Sequence, residues 1–287
     1  MSRKPILVLA SLLICGMSFA QQHPRAAASA VDPAKEAAAL AAQKAAALTP
    51  ATSTCSYTFT AAATATQKYI QTCITVNGNV VEFQSPLGVE AIRVGAFTEG
   101  YGICDATGGN AKYFDLADGG DSGNWLAPVR LSLSLTSVKI ARTSSDGIWT
   151  LTQTFTLDKK ATGVDVTMAL KNNTAVNRTI QLIRFVDVDA NNTVVNNLDG
   201  TLDSAWGYEG PNPSFTGTGL MLTRNGPDPF FHESWPINVS FMSDVCNPAA
   251  HWVGGPVLNT DGGLVAWDDL TINHGATKTI KLKYQGF

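Results

Sequence analysis

Three stretches of this chain alternate apolar and polar residues with a period of two. Trp149, Leu151, Phe155 and Leu157 alternate with Thr150, Thr152, Thr154 and Thr156. Val164, Val166, Met168 and Leu170 alternate with Asp165, Thr167 and Lys171, and Ile280, Leu282 and Tyr284 with Thr279, Lys281 and Lys283. Successive side chains of a strand point to opposite faces, so each run predicts a strand with one buried and one wet face. Turn chemistry separates such runs at Asn77-Gly78, Asp146-Gly147 and Asp261-Gly262. No comparable helical periodicity occurs from Cys55 onward. The pattern predicts an all-β fold: one large antiparallel β-sandwich over residues 53–287, with long aromatic-rich loops.

The run from Ile180 to Asp189 differs. Ile180, Leu182, Val186 and Val188 share one face, interrupted by Arg184, while Ile183 and Phe185 lie on the other with Asp187 and Asp189. A strand apolar on both faces is expected in the middle of a sheet. Trp149 and Trp267 fall within strand patterns and are expected in the core.

The first residues read as an export signal. Arg3 and Lys4 precede a short apolar run, Ile6 to Ile14, and Ser18-Phe19-Ala20 offers a small-x-small cleavage site. Residues 1–20 are therefore read as a leader cleaved after Ala20. A lipoprotein signal at Cys15 fits less well, because Ile14 is large where a small residue is needed. Residues 21–52 form an alanine-dominated spacer with only Val31, Leu40 and Leu48 as large apolar side chains. No later apolar run reaches the ~18 residues of a membrane helix. The expected location is secreted or periplasmic.

Once Cys15 leaves with the leader, Cys55, Cys73, Cys104 and Cys246 remain. Four cysteines in an exported chain read as disulfides and allow three pairings. Cys55–Cys73, closing a local hairpin, and Cys104–Cys246, tying distant segments, are the expected pair of bonds. Zinc is disfavoured because no CxxC spacing occurs. The formal charge is −3, with basic residues scattered rather than clustered. This excludes the electrostatic footprint of a nucleic-acid binder. Nothing in the pattern asks for a second copy, and a monomer is expected.

Residues 196–262 are dense in Gly, Pro, Asn and Asp, with Trp206, Tyr208, Phe231, Trp235 and Trp252 interleaved. Flat aromatic faces with polar edges suit sugar rings. These five are the candidate ligand-binding residues, and a glycan or cell-surface partner is the expected ligand. The competing reading is that the same aromatics plug a second core. If the chain is an enzyme, Glu209, Glu233 and His232 are the candidate catalytic groups, since glycoside hydrolysis needs two carboxyl groups about 5–9.5 Å apart. Asp187, Asp189 and Asn191 alternate like the first ligands of a calcium loop, so Ca²⁺ is the one cofactor the pattern suggests. The EF-hand glycine and bidentate glutamate are missing, replaced by Asn192 and Leu198.

Gly120-Asp121-Ser122-Gly123 matches the string around the nucleophile of trypsin-like proteases. The histidine in Ala249–Trp252 follows the serine instead of preceding it, and Asn124-Trp125 replaces the family's Gly-Pro. The glycines are read as a turn, without protease activity.

The segments RFVDVDANNT, DSAWGYE and GATKTIKLKY resemble parts of secreted bacterial β-sandwich proteins to which no function is assigned. The resemblance implies fold and export, and no activity. The expectation is a secreted, non-catalytic β-sandwich that binds carbohydrate or a surface partner through residues 196–262. An extracellular carbohydrate-active enzyme and a structural envelope or matrix protein are the alternatives.

Overall fold

The computed structural model describes residues 54–64, 68–92, 99–118, 120–210, 218–225, 231–238 and 244–287. The expected leader and the alanine-rich spacer lie outside them. In chain order the strands are β1 (Tyr57–Ala61), β2 (Ile70–Ile74), β3 (Val80–Gln84), β4 (Glu99–Asp105), β5 (Ala111–Leu116) and β6 (Gly120–Asp121). There follow β7 (Val129–Leu133), β8 (Ser137–Thr143), β9 (Trp149–Asp158), β10 (Gly163–Asn172), β11 (Arg178–Asp187) and β12 (Asn196–Gly200). The last are β13 (Ser204–Glu209), β14 (Thr218–Arg224), β15 (Phe231–Asn238), β16 (Val257–Thr260), β17 (Gly262–Ile272) and β18 (Thr277–Gly286).

They form a nine-stranded sheet (β16-β12-β13-β14-β18-β10-β9-β8-β7), a six-stranded sheet (β15-β17-β11-β4-β5-β6) and a three-stranded sheet (β1-β2-β3). Every named strand pairing is antiparallel. The three runs that alternate most cleanly are β9, β10 and β18, side by side in the large sheet. Their apolar faces meet Ile103, Ile180, Leu182, Val186, Leu264 and Leu270 of the six-stranded sheet, and Phe59, Ile70 and Phe83 of the small one. Burying one such Leu or Ile contributes about 1.5–3 kcal/mol.

β11 is central, flanked by β17 and β4. Its second face carries Ile183 and Phe185 into a separate cluster with Leu116, Ile237, Val245, Val265 and Trp267. That explains why the strand is apolar on both sides. The Cys104–Cys246 disulfide forms and anchors the segment that covers this second face. Val245 lies so close over Gly102 that a Cβ there would sit 2.6 Å from its Cγ1. Cys55–Cys73 also forms, linking the start of β1 to β2.

Arginines penetrate the main core, each met by a carboxylate. Arg184 pairs with Glu99, Arg142 with Asp115, Arg178 with Asp105 at 2.5 Å and Arg224 with Asp268 at 2.6 Å. Arg184 is fully buried, and its guanidinium also donates to Gln153, to the Gly78 carbonyl at 3.1 Å and to Tyr284 Oη at 3.2 Å.

Residues 196–262 hold five strands, β12 to β16, set between their loops. Asn, Asp and Gly dominate β12, so the alternation that marks a strand barely develops there. One expectation is corrected: Asp261-Gly262 does not close a hairpin. β16 belongs to the nine-stranded sheet and β17 to the six-stranded one, so Asp261 marks a crossing between sheets. Among the described residues no helix is long and apolar enough to cross a membrane.

Candidate functional site

β12 and β13 run antiparallel at one edge of the large sheet, with Asn197 opposite Tyr208 and Asp199 opposite Trp206. Alternation turns Leu198 and Ala205 into the core and leaves Asn197, Asp199, Trp206 and Tyr208 on the outer face. β16 pairs outside β12 across an irregular register. Beside this edge opens a cleft of about 490 Å³, lined by Val195, Asn196, Asn197, Tyr208, Glu209, Gly210, Leu258 and Asn259.

The polar wall of the cleft is internally braced. The Asn259 N–H donates to Asn197 Oδ1 at 3.0 Å, and Asn197 Nδ2 donates to the Gly210 carbonyl at 2.8 Å. Asn191 Nδ2 donates to the Glu209 carboxylate. Asn191 and Asn259 both adopt positive φ (60° and 54°), which asparagine tolerates better than most residues. Leu258 is 61% exposed and gives the cleft an apolar lip. Tyr208 is buried, and burial with the charge of Asp199 raises its phenol above the ordinary value. The cleft thus combines neutral amides, one carboxylate and apolar patches. That mix orients hydroxyl-rich ligands better than it handles charge.

The remaining sequence candidates separate into other places. Trp235 and Trp252 meet edge to face, with ring centroids 5.4 Å apart, and Trp235 packs against the second core. Both rings are half-buried beside the second core. The Trp235 indole donates to Glu233 at 2.6 Å, and Glu233 lies opposite Trp267 in the six-stranded sheet. Trp206 is half-buried on the outer face of β13, two residues from Tyr208. Phe231 opens β15 opposite Asp269, and its side chain lies outside the described residues. His232 Nε2 lies 2.8 Å from Asp203, and His251 Nε2 lies 3.0 Å from Asp244.

Glu209 and Glu233 therefore sit in different sheets, each held by its own neighbour. Among the described residues Glu209 is the only acid in the cleft lining. Asp187 and Asp189 are buried at the end of β11, whereas Asn191 is exposed and turned to Glu209. Burial, with the charges of Asp189 and Asp261, pushes the Asp187 carboxyl well above the usual range. Among the described residues no group of three His, Cys, Asp or Glu side chains is placed to hold a metal ion.

Ser122 accepts the Phe114 N–H at 3.1 Å and donates to Asn124. The neighbouring Asp121 pairs with Arg142 at 3.3 Å, and Gly123 takes φ 74°. The protease-like string is the short strand β6 and the bend that follows it, paired against β5.

Sequence reasoning missed Val195, Asn196, Asn197, Leu258 and Asn259. The only signals were paired asparagines and a lone leucine in short polar strands, which resemble any surface loop.

No protein-family model matches the chain, and no curated protein does either. Solved structures do resemble it. A bacterial glucoamylase solved with acarbose superposes with a TM-score of 0.52 at 10% identity, over 83% of this chain and 33% of its own. A galactose mutarotase-like protein from Lactobacillus casei gives 0.45 at 12% identity, over 80% of this chain and 100% of its own. A heparan sulfate lyase from Pedobacter heparinus gives 0.45 at 9% identity, over 77% and 33%. The chain spans about a third of the length of the glucoamylase. At such identities the glucoamylase match supports the β-sandwich architecture and nothing finer.

Proposed function

We propose that this is an exported, non-catalytic carbohydrate-binding protein that holds a glycan in the cleft between β12, β13 and β16. The observation that carries the reading is the lining of that cleft. Asn197, Asn259 and Glu209 offer hydrogen-bonding groups beside Tyr208 and Leu258, and among the described lining residues Glu209 is the lone acid. Glycoside hydrolysis calls for a second carboxyl group across the scissile bond, and Glu233 sits in the other sheet. Two disulfides support export to an oxidising compartment. The neighbours named above are carbohydrate-related proteins, which agrees with the reading.

The test is a polysaccharide and glycan binding panel on the oxidised protein, read in parallel for released reducing ends. Retention without release is expected. Glu209→Gln and Asn259→Ala, both at exposed positions, are each expected to weaken binding by about ten-fold, as for one lost hydrogen bond to a charged or oriented group. Released sugar would make the chain an enzyme, and retention unaffected by both substitutions would remove the cleft.

A further inference from the structure

Three donors of the cleft wall are turned on the wall itself. Asn196 Nδ2 donates to the Thr193 carbonyl at 2.5 Å, Asn197 Nδ2 to the Gly210 carbonyl, and the Asn259 N–H to Asn197 Oδ1. Acceptors remain open. Asn196 lines the floor of the cleft, 2% exposed, and its Oδ1 meets no donor among the described residues. The bond to Thr193 fixes which end of that amide is oxygen, because a carbonyl accepts only from the nitrogen. An acceptor buried without a donor is unfavourable, and a ligand that supplies the donor removes that penalty. Glu209 is exposed at the rim, and Asn191 occupies its Oε2 without neutralising its charge.

Charge around the cleft has one sign. β12, β13 and β16, which build it, contain no Lys or Arg. Asp199 lies in β12 on the same face as Asn197, and Asp261 follows β16 directly. Among the described residues neither of them nor Glu209 forms an ion pair. From Asp187 to Ile272 the chain holds eleven Asp and Glu residues against one arginine, Arg224, which is buried against Asp268. A ligand entering here meets a negative field with no fixed cation beside it.

We infer that the cleft takes a glycan carrying free amines, with an ammonium group paired to Glu209 and a donor of the same ligand given to Asn196 Oδ1. This rests on the glycan-binding reading above and names the class of sugar. An ammonium offers three donors, no acceptor and a positive charge, which complements what the wall leaves open. A ring hydroxyl can meet the Asn196 oxygen but leaves the Glu209 charge unanswered. An N-acetyl group removes the cation and adds an acceptor, and a carboxylate or sulfate brings acceptors with a like charge. The rest of an amino sugar keeps the hydroxyls that suit the amides, so one cation meets one carboxylate.

The test is titration calorimetry on the oxidised protein with oligomers of equal length: a glucosamine oligomer, the same oligomer N-acetylated, and a uronic acid oligomer. Mildly acidic buffer keeps the amine protonated. The glucosamine oligomer is expected to bind about ten-fold tighter than its acetylated form, and the uronic acid oligomer is expected not to bind. Salt at about 0.5 M should narrow the gap, because an exposed pair is screened. Glu209→Gln, at an exposed position, is expected to bring the glucosamine oligomer down to the level of the acetylated one. General attraction of a polycation to an acidic surface would keep most of the advantage in that variant, and that result overturns the inference. Equal or tighter binding of the acetylated oligomer also overturns it and leaves the glycan-binding reading standing. Retention of neutral glycans in the panel above, with no binding of the glucosamine oligomer, overturns this inference alone, whereas an empty panel overturns both.

Discussion

Replacing Arg184 with methionine removes the cation at the centre of the main core. The side chain is fully buried and ion-paired with Glu99, which also accepts Tyr284 Oη–H at 2.6 Å and the Val80 N–H at 2.7 Å. Breaking a buried pair from one side leaves the other charge stranded and costs about 3–5 kcal/mol. That loss should depend on pH. Burial pushes Glu99 from 4.5 up to about 7, against the opposing pull of Arg184. The folded value lies above the unfolded one, so folding favours the protonated carboxyl. Its contribution is fully present below pH 4.5 and is lost as pH rises through about 7. Without Arg184 the carboxyl should rise further, and each added unit widens the deficit above neutrality by about 1.4 kcal/mol. Urea unfolding followed by tryptophan fluorescence should therefore show a larger loss near pH ~8 than near pH ~5. A loss below ~1 kcal/mol, or one equal at both pH values, would refute this account of the core.

Cys246→Ser opens a bond that spans 142 residues and should cost about 5 kcal/mol on the chain-entropy model, measured by urea unfolding under oxidising conditions. Trp252→Ala removes the partner of Trp235 and should cost about 3 kcal/mol in the same assay while glycan affinity stays unchanged; a loss of affinity alone would return Trp252 to the binding site. Ser122→Ala should cost about 1 kcal/mol and leave peptide hydrolysis at background before and after, and hydrolysis that disappears with the serine would reinstate a protease.

The strands that alternate cleanly were legible because each borders a thick core on one side. β9, β10 and β18 follow the period-two pattern, and Trp149 and Trp267 are buried as their patterns require. Arg184 in β11 breaks its pattern, and so does Gln153, which interrupts β9 between Leu151 and Phe155. The two interruptions touch each other, because the guanidinium of one donates to the amide of the other. No single-strand periodicity could say so, since the contact crosses between sheets. The cleft was harder to see. Tyr208 and Glu209 stood out as an aromatic and an acid, but Asn197 and Asn259 become a wall only when β16 folds back beside β12. Leu131, Leu133 and Leu135 alternate with serines in the sequence, yet β7 is an edge strand whose register slips between Arg130 and Ser132, and all three are exposed.

The long reach of Cys104 also has a consequence in time. A chain delivered with its N-terminus first presents Cys55 and Cys73 together, only 18 residues apart, and they can close before β4 arrives. Cys104 then waits as an open thiol until another 142 residues have followed it. Throughout that interval the earlier bond keeps Cys55 and Cys73 out of its reach. The order of emergence thus acts as a proofreader, steering Cys104 past Cys55 and Cys73 toward Cys246.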